Sequence, residues 1–195
     1  MKELGLNKKL VIFEGASKTF KTSIIKEINE SSELNAFFFK LKKRVRWGQT
    51  YFNMNINSPD LSTFLEGMNV GSLEALLYTD YDYILIDRMH ISQYVYDKLY
   101  RRMNYTLQSF KLFEDHLINI YGLSNIRMIY LRDNVSGIKS RLEKEDINES
   151  EQLQDVLDRF EEAFTFTRFA YKRIEASSFD ELEFYVQQVK EFINE

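Results

Sequence analysis

The chain has 195 residues, 44% apolar and 15% aromatic with 16 Phe and 12 Tyr, a composition that excludes intrinsic disorder and supplies a full hydrophobic core. Its 26 Lys plus Arg against 30 Asp plus Glu give a net charge of −4, which argues against a surface that tracks nucleic acid along its whole extent but allows a local basic patch. The absence of Cys excludes a disulfide framework, a zinc-thiolate site and a thiol nucleophile, and weakly favours a reducing compartment.

At roughly 100 to 200 residues per domain the length fits a single domain over 1–195. Residues 1–7 lack an apolar run of signal-peptide length, and no stretch reaches the roughly 18 apolar residues that span a bilayer. The expectation is a soluble, cytoplasmic protein without a membrane partner.

In chain order, Leu10 to Glu14 reads as a buried strand, and Ile24 and Ile25 open the helix after it. Ala36 to Leu41 reads as a second strand and leads into the basic run Lys40, Lys42, Lys43, Arg44 and Arg46, with Trp47, Tyr51 and Phe52 behind it. Ser58-Pro59-Asp60 looks like a helix start, and Gly67 and Gly71 break or bend that region. Tyr83 to Asp87 is a third strand. From Ile91 to Tyr121, Val95, Leu99, Met103, Leu107, Phe110, Phe113 and Leu117 recur at spacings of three and four, which predicts one helical stripe packed in the core. Ile126 to Leu131 and a weaker Tyr171 to Ala176 complete five strands. Leu182, Val186, Val189 and Ile193 mark a closing helix, with Ser177 and Ser178 as N-cap candidates. Strands alternating with helices require crossovers, so the sheet is expected to be mainly parallel, with ligands beyond the carboxyl ends of its strands.

Between the first strand and its helix lies Gly15-Ala16-Ser17-Lys18-Thr19-Phe20-Lys21-Thr22-Ser23, close to the phosphate-loop pattern G-x-x-x-x-G-K-[ST]. That pattern needs a glycine turn whose amides face phosphates, a Lys for the outer phosphates and a hydroxyl for Mg²⁺, roles that Gly15, Lys21 and Thr22 fit. Phe20 stands where the second glycine belongs, and a side chain there strains the loop or crowds the phosphates. An ordinary strand-to-helix turn with a solvated Lys21 fits the bare residues as well; the flanking strand and helix favour the phosphate loop. Asp87, ending the third strand, is placed to hold hydrated Mg²⁺, and Arg88 offers a fixed charge to the transferring group. Neither His90 nor His116 has a carboxylate or a metal-ligand partner at a telling spacing, so both are expected to be structural.

Phe13-Glu14-Gly15 with Lys21-Thr22, followed by Asp87-Arg88-Met89-His90-Ile91-Ser92, resembles the thymidylate kinase and deoxynucleoside kinase superfamily. Tyr94 to Tyr100, Ile129-Tyr130-Leu131, Lys139-Ser140-Arg141-Leu142 and Leu157 to Glu162 resemble later pieces of the same superfamily, so the likeness runs over most of the chain. The resemblance implies a three-layer α/β phosphate-loop kinase fold with five parallel strands ordered 2-3-1-4-5 and a lid at about 133–150. It implies ATP and Mg²⁺ as cofactors, with residues 15–23 around the nucleotide, Thr22 and Asp87 at the metal, and Lys21, Asp87, Arg88 and Arg141 in catalysis. It also suggests a homodimer through the long central helices.

Deoxynucleoside kinases carry a general-base Glu five residues before a Trp, and here that place holds Lys42 before Trp47. The cations suit an acceptor that already bears phosphate, with Arg44 or Arg46 holding it and Trp47 stacking its base, although a solvated basic loop fits them too. The lid cations Lys139, Arg141 and Lys144 are diluted by Glu143, Glu145 and Asp146. The leading expectation is a small kinase that moves the γ-phosphoryl group of ATP to a deoxynucleoside monophosphate or related deoxynucleoside. The alternatives are a kinase-shaped binding or regulatory module and, less favoured by charge, a kinase acting on DNA.

Overall fold

The computed structural model describes residues 8–31, 34–39, 71, 73–74, 76–101, 105–143 and 152–195. Strands β1 (Lys9–Glu14), β2 (Ala36–Phe39), β3 (Tyr83–Asp87), β4 (Ile126–Arg132) and β5 (Ala170–Glu175) form one sheet in the order β2-β3-β1-β4-β5, every pair parallel. This is the expected architecture and strand order. Residues 40 and 41 of the anticipated second strand, the helix start at Ser58-Pro59-Asp60, and Gly67 lie outside the described residues. Gly71 itself is helical.

Continuous apolar strands mean burial on both faces, and the side-chain alternation of β1 divides the core into two layers. Val11 and Phe13 point to the layer filled by Ile24, Ile25 and Ile28 of α1 (Lys21–Glu30) and by Tyr185, Val189 and Ile193 of the closing helix. Leu10 and Ile12 face the opposite layer, built on α2 (His90–Tyr96), α3 (Leu107–Tyr121), α4 (Val135–Glu143) and α5 (Leu153–Phe164). The closing helix is α6 (Leu182–Asn194); Ser178 caps the short turn Phe179–Glu181 before it, accepting from the amide of Asp180 at 3.2 Å, and Glu181 takes the N-cap position of α6 itself. Among the described residues no helix is long and apolar enough to cross a membrane.

Two expectations need correction. The stripe from Ile91 to Tyr121 is not one helix: α2 passes into a π-helical turn, Asp97–Arg101, and α3 begins afresh after Thr106, whose Oγ1 accepts from the amide of Ser109 at 3.1 Å. The capping hydroxyl sets the break, while the apolar spacing continues through it because both segments pack on the same layer. In β5 only Ile174 is buried, because this strand is the sheet edge and its outward Arg173 and Glu175 join Arg132 and Glu161 in an ion-pair network.

His90 is buried in the core as a structural residue would be, and the fold supplies it with a carboxylate that spacing did not show. Its Nε2 lies 3.2 Å from Oε1 of Glu114, both side chains fully buried, and its ring packs against Phe110, Phe113 and Phe169. Glu114 further accepts from the Thr167 hydroxyl, the Arg168 amide at 3.1 Å and the Arg168 Nε at 3.2 Å, so one carboxylate ties α2, α3 and the approach to β5 together. His116 is exposed. Burial alone raises the Glu114 pKa, but the bond and charge of His90, with the bonds from Thr167 and Arg168, outweigh it and hold the carboxyl below its ordinary value of 4.5. A folded pKa below the unfolded one adds stability above the unfolded value, which is lost as pH falls through the folded value. Glu114→Ala is expected to cost about 3–5 kcal/mol in urea unfolding at neutral pH. Glu114→Gln should flatten the acid limb of the stability profile below pH 4.5; an unchanged limb would show that the hub carries no linkage.

Candidate functional site

The carboxyl end of β1 meets the crossover point of the sheet, between β3 on one side and β4 on the other. Gly15 follows with φ 137°, and a Cβ built there would stand 2.0 Å from the carbonyl oxygen of Leu131 in β4, so only glycine lets the chain turn off the strand here. Lys18 (φ 62°) and Phe20 (φ 59°) are left-handed as well. Such alternation curls backbone amides into an anion-binding concavity.

Phe20 therefore keeps the backbone shape for which the pattern specifies glycine, at a cost of roughly 1–2 kcal/mol. Its ring goes to the α1–α6 layer, 5.9 Å from the ring of Phe179 and under the Arg141 guanidinium at 4.8 Å. Packing and the cation–π contact offset the strain. The ammonium of Lys21, nearly buried, donates to the carbonyl of Ala16 and, at 2.9 Å, to Oγ1 of Thr19, which itself bonds Ala16 O at 3.0 Å.

The amino end of α1 has no side-chain cap from Phe20 and no acid in its first turn. A helix start carries unsatisfied N–H groups and partial positive charge, so this end is chemically matched to an anion. Beside it, Oγ1 of Thr22 donates to Oδ2 of the buried Asp87 at 2.6 Å, bringing the two expected metal ligands together. A hydroxyl and one carboxylate are the hard oxygen donors that suit Mg²⁺ carrying its own waters and phosphate oxygens. Among the described residues no cluster of three His, Cys, Asp or Glu offers a stronger metal cage.

Arg88 follows Asp87 with φ 71°. Its Nη2 donates to Oγ of Ser17 at 3.2 Å and its guanidinium lies 5.1 Å from the centroid of the Tyr96 ring, so the arginine spans the loop and α2. Arg141 stands elsewhere: it pairs with the buried Asp133, donates to the Ser177 carbonyl at 3.1 Å and covers Phe20. Asp133 gave no signal in sequence; it is fixed by bonding the Asn134 amide at 2.6 Å and by lying over Gly137, where a Cβ would come within 2.4 Å of its Oδ2. Arg44, Arg46 and Trp47, and residues 144–150 of the expected lid, lie outside the described residues.

Sequence reasoning also missed the role of Glu14. Fully buried at the end of β1, it accepts from the amide of Met89 at 2.7 Å and from the amide of Ser92 at 3.2 Å, and it takes a bond from the Ser92 hydroxyl. An acid closing the apolar run Leu10 to Phe13 was the available signal.

No protein-family model matches the chain, and no curated protein matches it in sequence. Solved structures do. YorR from Bacillus subtilis, in complex with phosphorylated GDP, aligns at TM-score 0.66 and 17% identity over 95% of this chain and 96% of that one. Deoxyadenosine kinase from M. mycoides, with dCMP and dCDP bound, aligns at 0.61 and 17% over 95% and 98%. Thymidylate kinase from Candida albicans aligns at 0.62 and 14% over 96% and 92%. The chain has the fold of the nucleoside and nucleotide kinases.

If Phe20 holds a glycine conformation against strain, Phe20→Gly should be about 1 kcal/mol more stable than Phe20→Ala, which loses the ring and keeps the left-handed cost. Denaturant titration of the two variants checks this; an alanine variant as stable as the glycine one would show that the strain is absent.

Proposed function

We propose that this protein transfers the γ-phosphoryl group of ATP to a deoxynucleoside monophosphate or a related deoxynucleoside acceptor. The observation that carries the reading is the start of α1, with no side-chain cap from Phe20 and no acid in its first turn, where Lys21 and the Thr22–Asp87 pair stand. A polyphosphate would be an anionic cap for this helix start, with the ammonium, hydroxyl and carboxylate as its neighbours in this reading.

In this reading the loop amides and Lys21 bind the outer phosphates, the ammonium exchanging Ala16 O and Thr19 Oγ1 for phosphate oxygens. Thr22 and Asp87 would hold Mg²⁺. When bound, the ion would share positive charge among the phosphate oxygens and so lower the barrier to transfer. Arg88, steadied by Ser17 and Tyr96, offsets the charge that develops on the transferring group. Arg141 must leave Asp133, Ser177 and Phe20 to reach a phosphate; where it stands it borders the last residue of the loop. Arg44 or Arg46 would hold the acceptor phosphate and Trp47 its base, an assignment supported by the basic sequence run and by Lys42 in place of a general base.

A second reading, a kinase-shaped binding module without efficient turnover, is favoured by the aromatic ring of Phe20 at the end of the loop and by the bonds Lys21 already makes to it. A panel of deoxynucleosides, deoxynucleoside monophosphates and short oligonucleotides, each incubated with labelled ATP and Mg²⁺, separates the readings. Label is expected on a monophosphate, and Lys21→Ala should lower the rate at least about 100-fold while the circular dichroism spectrum stays unchanged. Label on oligonucleotide ends alone would move the assignment to DNA; no labelled product would favour the module.

A further inference from the structure

We infer that Glu14 is a positioning residue that sets the Asp87–Arg88 turn and thereby aims Arg88. The inference rests on the proposed function for its kinetic consequence, but its structural half stands without it.

α2 starts at His90, and its N-cap residue, Met89, makes no side-chain cap hydrogen bond. The first-turn amides of a buried helix need acceptors from somewhere. Glu14 provides them from another strand: one carboxylate oxygen takes the Met89 amide, the other the amide and hydroxyl of Ser92. The negative group also lies at the positive end of the helix.

The consequence falls on Arg88, one residue before Met89. Its φ of 71° is a conformation that non-glycine residues hold only where the surroundings over-determine it. Here the two restraints come from consecutive residues of β1. The carbonyl of Phe13 accepts from the Arg88 amide at 2.9 Å, and Glu14 accepts from the next amide in the chain. With the backbone pinned on both sides, the side chain is delivered to Ser17 and the Tyr96 ring. Glu14 immediately precedes Gly15, so the residue that aims the arginine also begins the loop.

Glu14→Gln keeps size and shape but turns an NH₂ group toward N–H donors, so one side of the cap is lost. Nitrogen-detected NMR of the arginine side chains, in protein without added nucleotide, tests the structural half. The Arg88 signal, identified by its loss in Arg88→Lys, should be ring-shifted by Tyr96 in the parent chain and should move toward the position of a free arginine in Glu14→Gln. A folded Glu14→Gln with the signal unmoved would overturn the inference. Should Glu14→Gln fail to fold, Ser92→Ala, which removes one of the three donors, takes its place with a smaller displacement expected, and no displacement overturns it.

Kinetics test the other half. Glu14→Gln should lower kcat by roughly 10- to 100-fold with KM for ATP within about threefold, as for loss of a group that acts mainly in the transition state. Added to Arg88→Ala it should slow turnover no further. An equal fold-loss in both backgrounds would show that Glu14 does not act through Arg88. If the parent chain transfers no phosphoryl group at all, the enzyme reading fails, while the Arg88 signal still decides whether Glu14 sets the turn.

Discussion

The whole site depends on the end of one strand. Within three residues the end of β1 and the glycine after it give a carbonyl to Arg88, a carboxylate to the start of α2 and a turn that clears Leu131 of β4. In a parallel sheet the central strands are covered on both faces, so such groups have no water to turn to and each must find its partner within the protein. Meeting those requirements in one place fixes the loop, the Asp87–Arg88 turn and the crossover to β4 against each other. The spacing of Thr22 from Asp87 results from that fixation, since α1 and β3 are both anchored on β1.

Phe20 shows how a loop can keep its shape after losing the residue type that usually provides it. The left-handed backbone remains, and the benzyl group is accommodated to one side, between Phe179 and Arg141. Its presence couples the loop to the start of the closing helix through Phe179, and to α4 through Arg141 and Asp133. A glycine at this position could make neither connection, because it has no side chain to pack. The same substitution that disturbs the sequence pattern thus adds contacts that hold the loop on the sheet.

The parallel sheet, the two-layer core and the pairing of Thr22 with Asp87 arise from features visible in sequence: apolar runs of strand length, helical spacing between them, and a Gly, a Lys-Thr and a strand-ending Asp at related places; the strand order came from the family resemblance those motifs carry. Hidden from the sequence was anything made by side chains distant along the chain that meet only after folding. His90 and Glu114 are 24 residues apart on different helices, and Asp133, before α4, meets Arg141 in its last turn past Gly137, where a Cβ would crowd the carboxylate. Glu14 was visible as part of a motif, yet its partner is a helix start 75 residues away, and no local rule pairs a strand-ending acid with a Met whose side chain does not cap its helix. The break between α2 and α3 was hidden for another reason: apolar periodicity records which face is buried and is blind to a change of helix axis when both segments pack on the same layer.

The central claim is that this loop, with Phe20 in left-handed backbone, encloses a polyphosphate. Isothermal titration of the folded chain with Mg-ATP tests it most directly. Saturable heat with one nucleotide per chain, reduced when Mg²⁺ is withheld, is the predicted result; a flat titration at millimolar nucleotide, from a sample whose near-ultraviolet dichroism shows native packing, would contradict it.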